Sequence, residues 1–344
     1  MHSWALHFAD GGGAVREEWG IEEIPVALLY NGLSFAVMMT TPADLEDFAL
    51  RFAICEGIVA NADEYSLVDA VCSEYGIALH AAIPQPRFDA IEQRQRGLEG
   101  RSGCGLCGTS SLQTAVQPIR RVGSGPRLTT ACIRAGLVKL SQQQPLNARS
   151  GCMHAAGFMH ADGLLVREDV GRYNALEKLV GAMLRATPRI DPNAGFLAIT
   201  SRASYEIMRK AANAGIAMIA AMSAPPDLAI RQAEAAGITL IAFARDERMN
   251  IYSGHERLVS AASCFCGSGG SRDAESVSDK NSHPEQERTC LVIFPGVPRR
   301  KRKPIPRCKS VLADRLITQA SRLTPLPQKQ ITTSKSPTFG RCAE

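Results

Sequence analysis

The sequence holds no apolar run long enough to cross a membrane, and its N-terminus lacks the basic-then-apolar order of a secretory signal. Both absences lead us to expect a soluble, cytoplasmic protein without a membrane partner. Regular cysteine spacing is also missing. The 11 cysteines are odd in number and scattered, and a chain of 344 residues buries enough core to fold without staples. A disulfide framework is therefore not the organising device, and in a reducing compartment most of these thiols are free. Cys55, Cys72 and Cys132 lie in apolar segments and read as buried and inert. Positive charge is scarce in the body of the chain: from Arg257 onward there are 16 Lys+Arg against 7 Asp+Glu, whereas the first 256 residues hold 23 against 27. The net charge of +5 belongs to the tail. A slightly acidic body argues against a general nucleic-acid platform.

What the chain does concentrate is reactive sulfur on a glycine backbone, at Arg101-Ser102-Gly103-Cys104-Gly105-Leu106-Cys107-Gly108. The three glycines let the backbone turn tightly and bring N–H groups near a thiolate, which lowers a cysteine's pKa. Cys104 and Cys107 are thus the candidate catalytic residues. A Cys-x-x-Cys pair supports four readings, and spacing decides none of them. A structural zinc site needs two more ligands, and Cys264, Cys266, Cys290 and Cys308 supply no matching second knuckle. A thioredoxin-like centre opens a helix after a strand, whereas here charged residues precede a glycine-rich loop. A zinc deaminase needs His-x-Glu and Pro-Cys-x-x-Cys, and neither is present. The fourth reading is sulfur transfer through a persulfide, which needs one nucleophilic cysteine on a mobile loop and benefits from a second.

Along the chain, residues 24–39 are two apolar runs joined by Asn31-Gly32, a hairpin signal. Thr41-Pro42 then predicts a helix with Thr41 as N-cap, an apolar face of Leu45, Phe48, Ala49 and Phe52, and a stop at Gly57. Strands are expected at 65–72 and 76–83, an exposed polar helix or loop at 87–99, and a helix capped by Thr129 or Thr130 that runs to Leu140. A polar connector at 142–149 places a boundary near 145. Beyond it come a hairpin around Ala161-Asp162-Gly163, then a helix with Leu176, Leu179, Val180 and Met183 on one face. Strands at 195–200, 215–222 and 238–244 follow, separated by helices at 203–213 and 226–236. This alternation predicts an α/β fold with a parallel or mixed sheet. The expected organisation is an N-terminal arm (1–20), a smaller α+β region with the cysteine loop (21–145), an α/β region (146–262) and a basic tail (263–344). The tail is rich in Ser, Gly, Pro, Lys and Arg and is expected to be disordered.

In open α/β sheets ligands sit beyond the carboxyl ends of the strands. The residues falling there are Thr200-Ser201-Arg202, Ser223-Ala224-Pro225 and Arg245-Asp246-Glu247-Arg248, with Gly171-Arg172 after the preceding hairpin. Hydroxyls and arginines at three converging loops suit the phosphates of a nucleotide-like ligand. The plainer alternative makes Ser201 and Ser223 helix caps and leaves the arginines to solvent.

Taken in order, these segments resemble the FdhD family of formate dehydrogenase accessory sulfurtransferases. The resemblance covers residues 20–256 and rests on Asn31-Gly32, Thr41-Pro42-Ala43-Asp44, Glu56-Gly57-Ile58 and Cys104-Gly105-Leu106-Cys107-Gly108. It continues through Gly151-Cys152-Met153-His154-Ala155-Ala156 and Asp169-Val170-Gly171-Arg172-Tyr173-Asn174-Ala175. Its last segments are Thr200-Ser201-Arg202-Ala203-Ser204-Tyr205-Glu206, Ser223-Ala224-Pro225 and Phe243-Ala244-Arg245. Similar proteins more often carry Gly where this chain has Cys152, and His where it has Tyr173.

The resemblance implies a cytidine deaminase-like larger domain and a cytosolic homodimer. It also implies that sulfur is accepted from a cysteine desulfurase as a persulfide on Cys104, with Cys107 in support. The sulfur is then delivered to the molybdenum cofactor, as bis(molybdopterin guanine dinucleotide), required by formate dehydrogenase. The cofactor is cargo, and no permanent metal is implied. Phe243, Ala244, Arg245, Asp246, Glu247 and Arg248 match the cofactor-contacting stretch, joined by Ser201, Arg202, Ser223, Arg172 and His154 at the same edge. His154 is either a proton donor or a packed histidine. The rival expectation is a non-catalytic chaperone that binds cofactor and apo-enzyme, its cysteines serving contact or redox sensing.

Overall fold

The computed structural model describes residues 2–9, 12–95, 118–245 and 248–259. The expected tail at 263–344 and the cysteine loop at 100–108 lie outside the described residues. Strands β1 (His2–Ala9) and β2 (Gly12–Trp19) form an antiparallel pair of their own.

A four-stranded sheet follows, with β3 (Ile24–Tyr30), β4 (Leu33–Thr40), β5 (Ser66–Ser73) and β6 (Gly76–Ala82) in the order β4-β3-β6-β5. The β3–β4 turn uses Asn31 and Gly32 at φ 47 and 89, the positive values that an Asn-Gly pair tolerates. Helix α1 (Leu45–Cys55) covers one face and buries Phe48, Ala49, Phe52 and Ala53 against Val26, Leu28, Tyr30 and Leu79. The helix begins three residues later than its sequence signals. Thr41 does not cap it: the Thr41 N–H donates to Asp169 Oδ2 at 3.1 Å, and Thr41 Oγ1 accepts from the Val170 N–H. A partner more than a hundred residues away has outcompeted the local cap. Helix α2 (Gln85–Gln95), expected to be exposed, instead buries Ile91 and packs Phe88 against the same core.

Helix α3 (Thr130–Gln142) is capped by Thr129, whose Oγ1 accepts from the Cys132 N–H at 3.1 Å. The short helix α4 (Pro145–Ser150) leads to the larger sheet. Its strands are β7 (His154–His160), β8 (Gly163–Asp169), β9 (Phe196–Ile199), β10 (Met218–Ala221), β11 (Thr239–Arg245) and β12 (Arg248–Ser253), in the order β12-β11-β10-β9-β7-β8. Strands β9, β10 and β11 are parallel; β7 runs antiparallel to β9, and β8 and β12 are antiparallel partners at the two edges. The sheet is mixed.

Helices α5 (Arg172–Arg185), α6 (Tyr205–Asn213) and α7 (Asp227–Ala236) pack on one face, where they meet Phe158, Leu197, Ile199, Ile219 and Leu240. On the other face, Ile133, Leu137 and Leu140 of α3 meet Ala155, Phe196, Ala198, Met218 and Ile241. Successive strand residues therefore serve opposite cores, which is why β9 and β10 are apolar at every position. Each large apolar side chain so buried contributes about 1.5–3 kcal/mol. The core of the larger sheet thus starts upstream of the polar connector at 142–149.

The two sheets meet through α1 and α5. Gly181 permits the close crossing: a Cβ there would lie 1.9 Å from the Asp47 carbonyl oxygen. Beside it, Arg51 and Lys210 both pair with the buried Glu177. Two of the three cysteines expected to be buried, Cys72 and Cys132, are exposed, because each falls on the outward side of its element; Cys55 is half-buried.

Candidate functional site

The carboxyl ends of β9, β10 and β11 share one edge with the start of β7 and the end of β8. Backbone register fixes who meets whom there. His154 opens β7 opposite Asp169, the last residue of β8. The Thr200 N–H donates to the Ala155 carbonyl at 3.1 Å, and Thr200 Oγ1 accepts from the Ala155 N–H at 2.9 Å, so the end of β9 sits next to His154. The Met222 N–H donates to the Ile199 carbonyl at 3.0 Å and draws Ser223 to the same place. Phe243 closes the row on β11.

Phe243 stands out on two counts. Its φ of 51 lies in the left-handed region, which costs a bulky residue strain, and its ring is 46 % exposed. The β11–β12 register slips between Ala242 and Arg245, and this bulge turns Phe243 outward while Ala244 remains in the core. Of the expected cofactor contacts, Ala244 therefore offers backbone only. Arg248 is exposed and pairs in register with Arg245, which keeps it at the edge. Asp246, Glu247 and the Arg245 side chain lie outside the described residues, as do Cys104 and Cys107.

Neither Ser201 nor Ser223 is a helix cap, contrary to the plainer expectation. Ser204 caps α6 by accepting from the Ile207 N–H, and Pro226 occupies the cap position of α7. Ser201 is buried and donates to the Arg202 carbonyl at 3.3 Å, while Ser223 is half-buried and Arg202 exposed. Arg172 opens α5, with its Cζ 4.8 Å from the centroid of the Tyr173 ring.

Below this edge lies a buried hub to which the sequence assigned no role. Asp169 Oδ2 accepts from Thr40 Oγ1 at 2.6 Å, from the Thr41 N–H and from Lys178 Nζ at 2.6 Å; Oδ1 accepts from the Gly171 N–H at 2.7 Å and from Asn174 Nδ2 at 3.1 Å. One carboxylate thereby anchors the Gly171-Arg172 turn to the end of β4. The sequence signal was a lysine embedded among Leu176, Leu179 and Val180. A second group without a sequence-level role is Tyr173, Ser204 and Glu206: the Tyr173 hydroxyl donates to Glu206 Oε2 at 2.8 Å, and Ser204 Oγ lies 3.1 Å from the same oxygen.

Arg172 acts on the charge state of its neighbour His154. Burial, then the Arg172 charge, lower the His154 pKa below 6.5, with Asp169 opposing. His154 is therefore a neutral imidazole at pH 7. Among the described residues no group of three or more His, Cys, Asp or Glu gathers to hold a metal ion, and no helix is long and apolar enough to cross a membrane. What the edge presents is an exposed aromatic ring, three arginines (Arg172, Arg202 and Arg248), several hydroxyls and a neutral imidazole. That set suits an anion carrying a planar ring system. Cys152, exposed and two residues before His154, is a free thiol near the edge.

The model of the FdhD/NarQ family matches residues 21–259. A protein of Xanthomonas campestris pv. campestris named sulfur carrier protein FdhD is 47 % identical over 250 residues, covering 72 % of this chain and 88 % of that one. A protein of the same name from Cupriavidus necator is 47 % identical over 244 residues, covering 70 % and 84 %. A crystal structure from Desulfotalea psychrophila, provisionally described as a formate dehydrogenase accessory protein, superposes with a TM-score of 0.57 at 24 % identity. That match covers 75 % of this chain and 99 % of that one.

Proposed function

This chain belongs to the FdhD/NarQ family, and from that premise we propose that it is a cytoplasmic sulfur carrier serving formate dehydrogenase. The name shared by its relatives supports the carrier role. In this reading the Cys104 thiolate attacks the terminal sulfur of a cysteine desulfurase persulfide. A new S–S bond forms at Cys104, and the desulfurase thiolate leaves. Cys107 assists; the S–S bond at Cys104 then breaks, the sulfane sulfur passes to the molybdenum cofactor, which as acceptor would supply the two electrons that take it to sulfide, and Cys104 is returned as the thiolate.

The cargo, bis(molybdopterin guanine dinucleotide), docks across the strand edge. The observation that carries this is the exposed, left-handed Phe243 on the sheet edge that Arg172, Arg202 and Arg248 share. A guanine or pterin ring has a planar face for Phe243, and its phosphates have guanidinium partners. Ser201, Ser223 and His154 supply neutral polar contacts, and Arg245, Asp246 and Glu247 continue the same stretch. The cytidine deaminase-like kinship of the larger sheet and a homodimeric assembly belong to this proposal. The mixed sheet with alternating helices supports the former.

Peptide-level mass spectrometry after incubation with a cysteine desulfurase and cysteine tests the carrier step. One added sulfur mapped to Cys104, and lost in Cys104→Ala, is the expected result. A folded protein that acquires no transferable sulfur on Cys104 or Cys107 overturns it in favour of a binding chaperone.

A further inference from the structure

The four-stranded sheet is covered on one side, where α1 and α2 pack against Val26, Leu28, Tyr30 and Leu79. On the other side Val37 and Met39 of β4 and Val71 of β5 are 57, 49 and 46 % exposed, so nothing among the described residues covers them. Register sets Val37 beside Ala27, Ala27 beside Ala78 and Ala78 beside Val71, a row across all four strands without a polar side chain. In the next row Met39 stands beside Pro25, and Gly76 lies against the Pro25 backbone. The two central strands thus give these rows a low floor between taller side chains on β4 and β5. Neighbouring strands are about 4.8 Å apart, so the two ridges stand about 14 Å apart, and a helix with its side chains is about 10–12 Å across. One helix fits along this trough. A contiguous apolar face of this kind marks an interaction surface more often than scattered exposed residues do.

Charge decides what kind of helix. Residues 21–83 hold ten Asp or Glu and a single Lys or Arg, the buried Arg51. Where this region adjoins the larger sheet the charge is met, since Asp44, Glu46 and Asp47 pair with Arg167 or Arg185. Glu22, Glu23, Asp69 and Glu74 are exposed and pair with no Lys or Arg among the described residues. Parallel pairing of Val26 with Ile77 puts the β5–β6 turn, which carries Glu74, beside the start of β3, which Glu22 and Glu23 precede. Asp69 stands on the β5 flank opposite His80. The trough therefore has carboxylates at one end and on one side. A second copy of this chain would bring the same sign and no Lys or Arg to meet it, whereas a cationic helix finds a partner at each of these positions.

We propose that the uncovered face of the four-stranded sheet docks a basic amphipathic helix of a partner protein. Its apolar side chains lie on the floor of Ala27 and Ala78 between Val37 and Val71, and its Lys or Arg side chains reach Glu22, Glu23, Glu74 and Asp69. The inference goes beyond the sulfur-carrier and cofactor-docking readings and does not rest on either. The apolar floor supplies affinity in the manner of other helix-in-groove contacts. The acidic rim supplies the choice of partner, because a helix of the wrong sign meets four like charges.

Fluorescence anisotropy on the full chain tests it, with a labelled peptide of leucine and lysine in amphipathic helical order as probe and the same peptide with glutamate for lysine as control. The wild type is expected to bind the leucine–lysine peptide about tenfold or more tightly than the control, with a preference that shrinks as salt is added. Val37→Ser combined with Val71→Ser is expected to lose about tenfold in affinity for the leucine–lysine peptide. Both valines are exposed, so the fold tolerates the change. Glu22→Gln, Glu23→Gln and Glu74→Gln together are expected to remove most of the salt dependence, and this variant carries the test if the valine variant does not fold. Leucine–lysine binding that survives both sets of substitutions unchanged places the peptide elsewhere on the acidic body and overturns the site. A wild type that binds neither peptide overturns it as well. Sedimentation of the same samples gives the last arm: a dimer that the valine substitutions split assigns the face to a second copy and overturns the basic partner.

Discussion

Lys178 Nζ lies 2.6 Å from Asp169 Oδ2, and neither side chain has any exposure. The same ammonium donates to the Thr41 carbonyl at 2.9 Å, so the pair joins the end of the small sheet to the helix that opens with Arg172. Removing one member of a buried, hydrogen-bonded pair leaves the other uncompensated, at a typical cost of about 3–5 kcal/mol. Lys178→Met is expected to lose stability on that scale in urea unfolding, and Lys178→Met combined with Asp169→Asn to lose less. A loss in the double variant equal to the sum of the Lys178→Met and Asp169→Asn losses would show that the two residues act independently.

That pair also marks the limit of what local sequence signals reveal. Strands β7 to β11 and the helices packed on them were legible because their apolar periods are short-range properties, whereas the polar edge strand β12 was missed, and Asn31-Gly32 dictated its own turn. The start of α1 was misplaced because Thr41 carries a local capping signature, and its partner Asp169 is invisible at a separation of 128 residues. Apolar neighbours did not reveal that Cys72 and Cys132 point outward, since the facing of one residue depends on what packs opposite. At the strand edge, the alternation of strands and helices put Arg172, Ser201 and Ser223 just past the ends of β8, β9 and β10, where their backbones lie; Phe243 was named only through the family resemblance. The Tyr173 and Glu206 contact forms only when α5 and α6 dock, across 33 residues of sequence.

His154 is expected to titrate below its ordinary 6.5, because burial and the nearby Arg172 both disfavour the imidazolium, with Asp169 opposing more weakly. The sign for stability follows: as pH falls below 6.5 the unfolded chain takes up the proton first. This group therefore withdraws stability until the folded-state pKa is passed, and nothing further below it. Imidazole chemical shifts read against pH give the midpoint directly. Arg172→Ala should raise it, since one cause of the depression is gone. A wild-type midpoint at or above 6.5 refutes the assignment.

Native-state alkylation should separate the described free thiols. Cys132 and Cys152 are exposed and are expected to be modified at pH 7.5. Burial pushes the Cys55 thiol up, Glu177 adds to this, and the nearby Lys210 and Arg51 only partly offset it, so Cys55 is expected to stay unmodified while the protein is folded. Peptide mapping after a short iodoacetamide pulse provides the comparison. It also supplies the control for sulfur mapping, because Cys152 is an exposed free thiol that reagents reach whether or not it carries sulfur.

Phe243 allows strain and function to be separated. A bulky residue in the left-handed region costs about 1–2 kcal/mol, and glycine relieves this at an entropic cost of about 0.5–1 kcal/mol. With its ring 46 % exposed, Phe243 gives up little packing when truncated. Phe243→Gly is thus expected to be as stable as the wild type or more so, by up to about 1 kcal/mol, in thermal unfolding. The same variant should bind guanosine more weakly if the ring is a stacking surface for the guanine. Phe243→Leu keeps the strain and loses the planar face, so it should match the wild type in stability and the glycine variant in affinity. A Phe243→Gly protein that is destabilised and binds guanosine normally would make the ring a packing element and leave the left-handed backbone as the only feature of the edge still in need of a cause.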